Sequence, residues 1–311
     1  MYFRNNFAII IPSSGDKKLL NRCLESIASQ TVLPNKIILV LPKGTSYYYS
    51  KLDNLEIHYS EIKNQVFQRN IGISKLDRKI KIILQIDDKI ILDKEAIRQM
   101  IKCWNASFNK KIAGIGFNNI VKKTNYNFFH PKASLLNSFF LIINNKFNIF
   151  KPGTVLLNGM NIQYKNLDKV TKVFWLKGGL ASYDLAKVRK IISNRYFPLI
   201  KWSVLEDLIF SYYVSRKYNL IVCPHAKAEE VPKTIKNVSL SYEYYLGKVY
   251  SQNLKYFIKK NKNLSFSLYI ISTLCLVVFG VIRGLLILNF NIVSKNLGRF
   301  TGIFYRSLFD R

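Results

Sequence analysis

Residues 79–92 read KIKIILQIDDKIIL. A strand-length apolar run ends there in two adjacent carboxylates, Asp87 and Asp88, with Lys89 next in line. An unbroken run of Ile and Leu fits a strand covered on both faces. Adjacent carboxylates at the rim of such a core repel each other and lose hydration, so something positive or wet must stand beside them. A metal ion, the Lys89 ammonium and open solvent at a strand end all satisfy that requirement.

Other runs repeat the strand pattern. FAIII (7–11), KIILVL (36–41) and LEIHY (55–59) have strand length. Between the first two, KKLLNRCLESIASQ puts Leu20, Cys23, Leu24 and Ile27 on one helical face, with Asp16 placed to cap it. RNIGISKL (69–76) predicts a short helix, and DKEAIRQMIKCW (93–104) a helix capped by Asp93. Strands alternating with helices predict βαβ units and a mostly parallel sheet in an α/β domain. Ligands of such sheets sit outside the carboxyl ends of the strands, where both PSSGD (12–16) and Asp87–Asp88 fall. The stretch 117–172 mixes aromatic, Asn, Gly and Pro residues and reads as an inserted, substrate-facing region. From residue 173 the pattern returns with VFWLKGGLASYDLAKVRKI, WSVLEDLIFSYYVSRKY and the strand NLIVCP. Glu206 and Asp207 open the middle helix of that series. Negative charge there suits the helix dipole, so a structural and a chemical role both stay open.

Composition bounds the partners. With 49% apolar residues in 311, the chain can fill a large core, which excludes disorder. Lys and Arg number 48 against 18 Asp and Glu, a net charge of +30, so nucleic acid, anionic membranes and phosphorylated substrates are the partner classes. The lysines are spread along the chain and no nucleic-acid motif occurs, so nucleic acid is not expected. Cys23, Cys103, Cys223 and Cys275 are scattered without a CxxC or Cys/His cluster, which argues against zinc and for a reducing compartment. The first apolar run is too short for a signal peptide, so the catalytic part is expected in the cytosol. Near the other end, FSLYIISTLCLVVFGVIRGLLILNF (266–290) carries a single charge, Arg283, between two basic flanks. An interfacial helix or shallow hairpin on an anionic membrane suits both flanks. A single span and a buried helix stay open.

Five stretches, in order, resemble those of a family-two glycosyltransferase of the GT-A fold, of the type that builds bacterial surface polysaccharide. They are FAIIIPSSGDKKLLNRCLESIASQT, NQVFQRNIGIS, ILQIDDKIIL, VFWLKGGLASYDLAKV and WSVLEDLIFSYYVSRKYNLIVCPHAKAEE. The resemblance covers roughly residues 5–235. It implies a GT-A domain over 1–235, with a nucleotide-sugar half (1–115) and an acceptor half (116–235), and a membrane-associated region at 236–311.

The implied activity is inverting, metal-dependent transfer of a sugar from a nucleotide-sugar donor to a growing glycan or a polyisoprenoid-diphosphate-linked acceptor. The implied place is the cytoplasmic face of a bacterial inner membrane. Catalysis falls to Asp207, with Glu206 orienting the acceptor or sharing the role. Donor contacts fall to Pro12, Ser13, Ser14, Arg69, Asp87, Gly178 and Gly179. Asp88 and Glu230 would hold Mg or Mn, which neutralises the departing diphosphate. His225 is out of place for a ligand. Two departures stand out. Lys89 replaces the third acid of the family motif and can supply part of the positive charge itself. The second strand ends in VLPKGTS, without the acid that reads the nucleobase. The alternative reading is a degenerate scaffold that binds anionic lipid or nucleic acid. A hydrolase needs no nucleotide fold, and PSSGDKK imitates a nucleotidyltransferase phosphate loop poorly.

Overall fold

The computed structural model describes residues 6–107, 110–120, 151–193, 204–231 and 238–305. The stretch 121–150, most of the expected substrate-facing insertion, and Trp202 lie outside them. The chain forms two compact units. The first comprises Met1–Asn125, Gln163–Lys201 and Glu206–Lys233; the second comprises Tyr126–Ile162, Trp202–Leu205 and Thr234–Arg311.

The first unit is an α/β structure around one sheet. Its strands are β1 (Phe7–Pro12), β2 (Lys36–Pro42), β3 (Leu55–Ser60), β4 (Ile82–Ile86), β5 (Ile90–Leu92), β6 (Ile112–Asn119), β7 (Thr171–Val173), β8 (Leu180–Asp184) and β9 (Asn219–Glu230). They lie in the order β3-β2-β1-β4-β8-β6-β9-β5, with β7 also on β9. Every residue of β1 and β4 is buried, as unbroken apolar runs covered on both faces require. β1 to β4 are mutually parallel. The far half mixes directions, because β8 enters reversed between β4 and β6.

The helices are α1 (Lys17–Ala28), α2 (Gln65–Ser74), α3 (Ala96–Ala106), α4 (Leu185–Ser193) and α5 (Glu206–Ser215). Asp16 caps α1 as its position predicts, accepting from the backbone N–H of Lys18 and Leu19. Two starts differ from the sequence expectation. α2 begins at Gln65, four residues earlier, because the Asn64 side chain accepts from Val66 and Phe67 and caps it there. Asp93 organises the turn ahead of α3, accepting from the Glu95 N–H at 3.1 Å, while Glu95 occupies the cap position.

The core is pinned by one polar relay. The buried Trp104 of α3 donates its indole N–H to Ser182 Oγ on β8 at 2.9 Å, and that hydroxyl donates to the Ile115 carbonyl of β6 at 3.0 Å. A helix and two strands thus share one buried hydroxyl.

In the second unit, α6 (Leu240–Lys259), α7 (Phe266–Leu286) and α8 (Phe290–Phe304) pack together. Ser239, Ser265 and Asn289 cap them in turn. Their approach is close. A Cβ at Gly298 of α8 would run into the Tyr244 carbonyl of α6, and one at Gly280 of α7 into the Asn296 side chain of α8. Small residues at such crossings let helix backbones meet without a hydrophobic core between them. The apolar run 266–290 is one helix, α7, followed by a turn and the first residue of α8. Leu288, at a φ of 51°, turns the chain between them, and the Asn289 side chain restarts it.

Replacing Ser182 by Ala removes the acceptor of the Trp104 indole. The expected cost is about 1–3 kcal/mol, read as a lower thermal midpoint. An unchanged midpoint would show that the relay does not hold the sheet to α3.

Candidate active site

The carboxyl ends of β1 and β4 bring the first group together. β1 ends at Pro12, paired with Val40 of β2. Gln68 of α2 donates to the Ser13 carbonyl at 2.8 Å and to the Val40 carbonyl at 3.1 Å, which fixes the turn that follows. The Ser13 hydroxyl donates to Asp88 Oδ2 at 2.7 Å, and the Ser14 backbone N–H reaches the same oxygen at 3.2 Å. Gly15, at a φ of 89°, lets its own N–H return to Ser13 Oγ at 3.0 Å. Ser13, Ser14 and Asp88 are thus one hydrogen-bonded cluster.

Arg69 organises the second group. Its guanidinium, 5% exposed, donates to Asp87 Oδ1 at 3.0 Å and also to Glu206 Oε1. Gln65 donates to the same Asp87 oxygen. The Asp87 backbone N–H donates to the Gly179 carbonyl at 2.9 Å, which holds the turn before β8 against the end of β4. A side chain at Gly179 would collide with the Asp87 carboxylate, and one at Gly178 with Asp207 and Glu206. Asp207 accepts from the Gly178 N–H at 3.3 Å and the Leu208 N–H at 2.8 Å. Leu205, at a φ of 67°, precedes the pair in the left-handed region that a branched side chain rarely adopts.

The third group lies where β9 ends. Glu230 pairs with Ile90 across the β5–β9 ladder, and Glu230 Oε1 meets the Lys89 ammonium at 2.6 Å. The Asn119 side chain also favours the charged form of Glu230. Among the described residues, the buried Asn119 Oδ1 has no partner. His225 is exposed on β9.

Burial sets the electrostatics of the acids. It pushes the Glu206 carboxyl up to about 7, against the opposing pull of Arg69. It also raises Asp207, against the Leu208 and Gly178 N–H groups that favour its charged form. For Lys89, burial works against the charge, but Glu230 outweighs it and lifts the ammonium above its ordinary value. Burial similarly works against the Glu230 charge, yet Lys89 holds that carboxyl below its ordinary value. Burial lowers Lys177, while Glu230 and Asp207 pull it upward.

Asp87, Arg69, Gly178, Gly179, Glu206 and Asp207 therefore converge, and Ser13 and Ser14 converge on Asp88. Gln65, Gln68, Asn119 and Lys177 were not singled out from the sequence. Gln65, beside the Asn64 cap and one turn before Arg69, carried the only readable signal. The expected metal seat fits less well. Asp88 spends Oδ2 on Ser13 and Ser14, and Glu230 is engaged by the cation that replaces the family's third acid. Among the described residues, no group of three or more His, Cys, Asp or Glu is placed to hold a metal ion. One carboxylate and an ion pair do not fit the divalent site expected of Asp88 and Glu230 together.

No protein-family model matches the sequence, and no curated protein matches it either. Solved structures do. A mannosyltransferase from Pyrobaculum calidifontis, whose structure contains GDP-Man and Mn2+, aligns with a TM-score of 0.56 and 12% identity over 97% of this chain and 88% of that one. S. aureus TarS 1-349 with UDP aligns with a TM-score of 0.50 and 12% identity over 95% of this chain and 90% of that one. Against a longer S. aureus TarS chain, the match spans 39% of that chain. The fold is of the GT-A type. At this identity the likeness concerns the fold alone.

Glu206 generates a pH prediction. Its carboxyl rises from the ordinary 4.5 to about 7 on folding, so the folded state favours the protonated form. The stability it contributes is fully present below pH 4.5 and is lost as pH rises through about 7. Glu206→Gln should flatten this part of the denaturation profile between those two pH values. An identical slope in the variant would refute the assignment.

Proposed function

We propose that the chain is a glycosyltransferase that moves a sugar from a nucleoside-diphosphate donor to an acceptor hydroxyl with inversion. The observation that carries this reading is the Arg69 bridge. It joins Asp87, at the ligand-binding end of β4, to the Glu206–Asp207 start of α5. The Asp87 and Glu206–Asp207 carboxylates then close on one turn, Gly178–Gly179, where any side chain would collide with them. The GDP-Man and UDP in the similar structures belong to those proteins; they support a nucleotide donor here by analogy of fold.

In this reading Pro12, Ser13, Ser14 and Asp87 line the nucleotide side, and Arg69 fixes the acids. Asp207 takes the proton of the acceptor hydroxyl. The acceptor oxygen then bonds to the anomeric carbon from the face opposite the leaving group. The bond from that carbon to the diphosphate oxygen breaks, and its electron pair leaves with the nucleoside diphosphate. Glu206 orients the acceptor. A general base of this kind contributes about 10²–10⁴-fold to rate.

We also propose that the second unit holds the enzyme on the cytoplasmic face of a membrane, where a polyisoprenoid-diphosphate-linked glycan would be the acceptor. One helix, α7, is long and apolar enough to cross a membrane. The turn between α7 and α8 supports a shallow hairpin instead, because Leu286 and Leu288 are 79% and 78% exposed there.

Release of nucleoside diphosphate from sugar nucleotides, measured with crude lipid-linked acceptor, tests the reaction. Asp207→Asn should lower it by about 100-fold or more. Full activity of an Asp88→Ala, Asp207→Ala double variant would sink the proposal. For the membrane, the chain should sediment with anionic vesicles more than with zwitterionic ones. Leu286→Glu with Leu288→Glu should reduce that fraction severalfold, and undiminished sedimentation would exclude the hairpin.

A further inference from the structure

A departing diphosphate gains negative charge, and something cationic must meet it. A divalent ion brings two positive charges. Glu230 is already paired with Lys89, and among the described residues no group of three or more His, Cys, Asp or Glu is placed to hold such an ion, but two ammonium groups act on the same carboxylate.

Lys89 directly follows Asp88 at the end of the sheet where such folds bind ligands. Its backbone is fixed from both sides. The Ile90 N–H donates to the Asp87 carbonyl at 3.0 Å, and the Val231 N–H donates to the Lys89 carbonyl at 2.9 Å. The side chain is likewise held, 2.6 Å from Glu230. Both partners are about one-third exposed, at 33% and 37%, so the pair adds little to stability. An ammonium has three donors, and one carboxylate oxygen uses one of them.

Lys177 supplies the second charge. Its backbone N–H donates to Tyr164 Oη at 2.9 Å, and its carbonyl accepts from the Leu180 N–H at 3.1 Å, so it is anchored in the turn that carries Gly178 and Gly179. Its ammonium interacts electrostatically with Lys89, Glu230 and Asp207. The two ammonium groups thus share one carboxylate, Glu230, and Lys89 keeps N–H donors to offer a ligand oxygen.

We infer that Lys89, held by Glu230 and assisted by Lys177, binds the donor diphosphate in place of a divalent cation, so that nucleoside diphosphates bind without metal. This rests on the nucleotide-sugar reading above. Glu230 is then a positioning residue for Lys89. Asp88 serves to hold the β1 turn through Ser13 and Ser14.

Calorimetric titration of the full chain with UDP, GDP, ADP, CDP and TDP, in Mn2+ and in EDTA, tests this. The wild type should bind at least one nucleotide with affinities in Mn2+ and EDTA that agree within about tenfold. Lys89→Ala should weaken binding in EDTA by at least about tenfold, since it removes a charged hydrogen-bond donor. Lys89→Arg should retain binding, and Lys89→Asp, which restores a third acid, should make binding depend on Mn2+. Thermal melting of each variant separates misfolding from lost contacts, and Lys89→Arg keeps the test informative if Lys89→Ala does not fold. Two results overturn the inference while leaving the function intact: wild-type binding that collapses in EDTA, or Lys89→Ala binding as wild type in EDTA. Failure of every nucleotide under both conditions would overturn the nucleotide-sugar reading itself, and this inference with it.

Discussion

The candidate site depends on one buried guanidinium. Arg69 sits between Asp87 and Glu206, and burial alone would make the Glu206 carboxylate costly to ionise. An arginine cannot shed its charge, so the position forces at least part of the acid cluster to stay anionic. The surrounding geometry serves that charge. Gln65 shares the Asp87 oxygen, and the Asn64 cap sets where α2 begins and therefore where Arg69 points. Replacing one member of such a network strands the others, which is why a fixed arginine can organise acids from two separate stretches of chain.

Much of this was legible in the residues. Unbroken Ile and Leu runs announced the buried strands, because covering both faces leaves no place for alternation. Asp16 announced α1, because a short acceptor before an amphipathic run has one favourable use. The acids after β4 announced the ligand end of the sheet. Sheet logic placed only Asp87 and Asp88; the resemblance brought in Glu206, Asp207 and Arg69, with Arg69 positioned to steady the acids, as its bonds to Asp87 and Glu206 do.

What escaped the sequence was decided by partners distant along the chain. β5 is only three residues long, and its existence depends on β9 lying alongside. That pairing puts Lys89 against Glu230, and no local pattern encodes it. The reversed entry of β8 likewise comes from packing between β4 and β6. The apolar run at 266–290 concealed a turn for another reason. Hydropathy is blind to a single left-handed residue followed by a capping Asn, and Leu288 with Asn289 is that pair.

The reversal of β8 has a consequence for how the chain can diversify. β6 finishes at Asn119 on the rim where β4 delivers its acids, and β8 starts at Leu180 on that same rim. The connection between them spans 120–179 and itself contributes β7, which pairs with β9. Where its length changes outside β7, no strand register has to shift, and loop-closure entropy changes only slowly with length. New recognition surface can be grafted there by insertion, while the nine-stranded frame stays as it is.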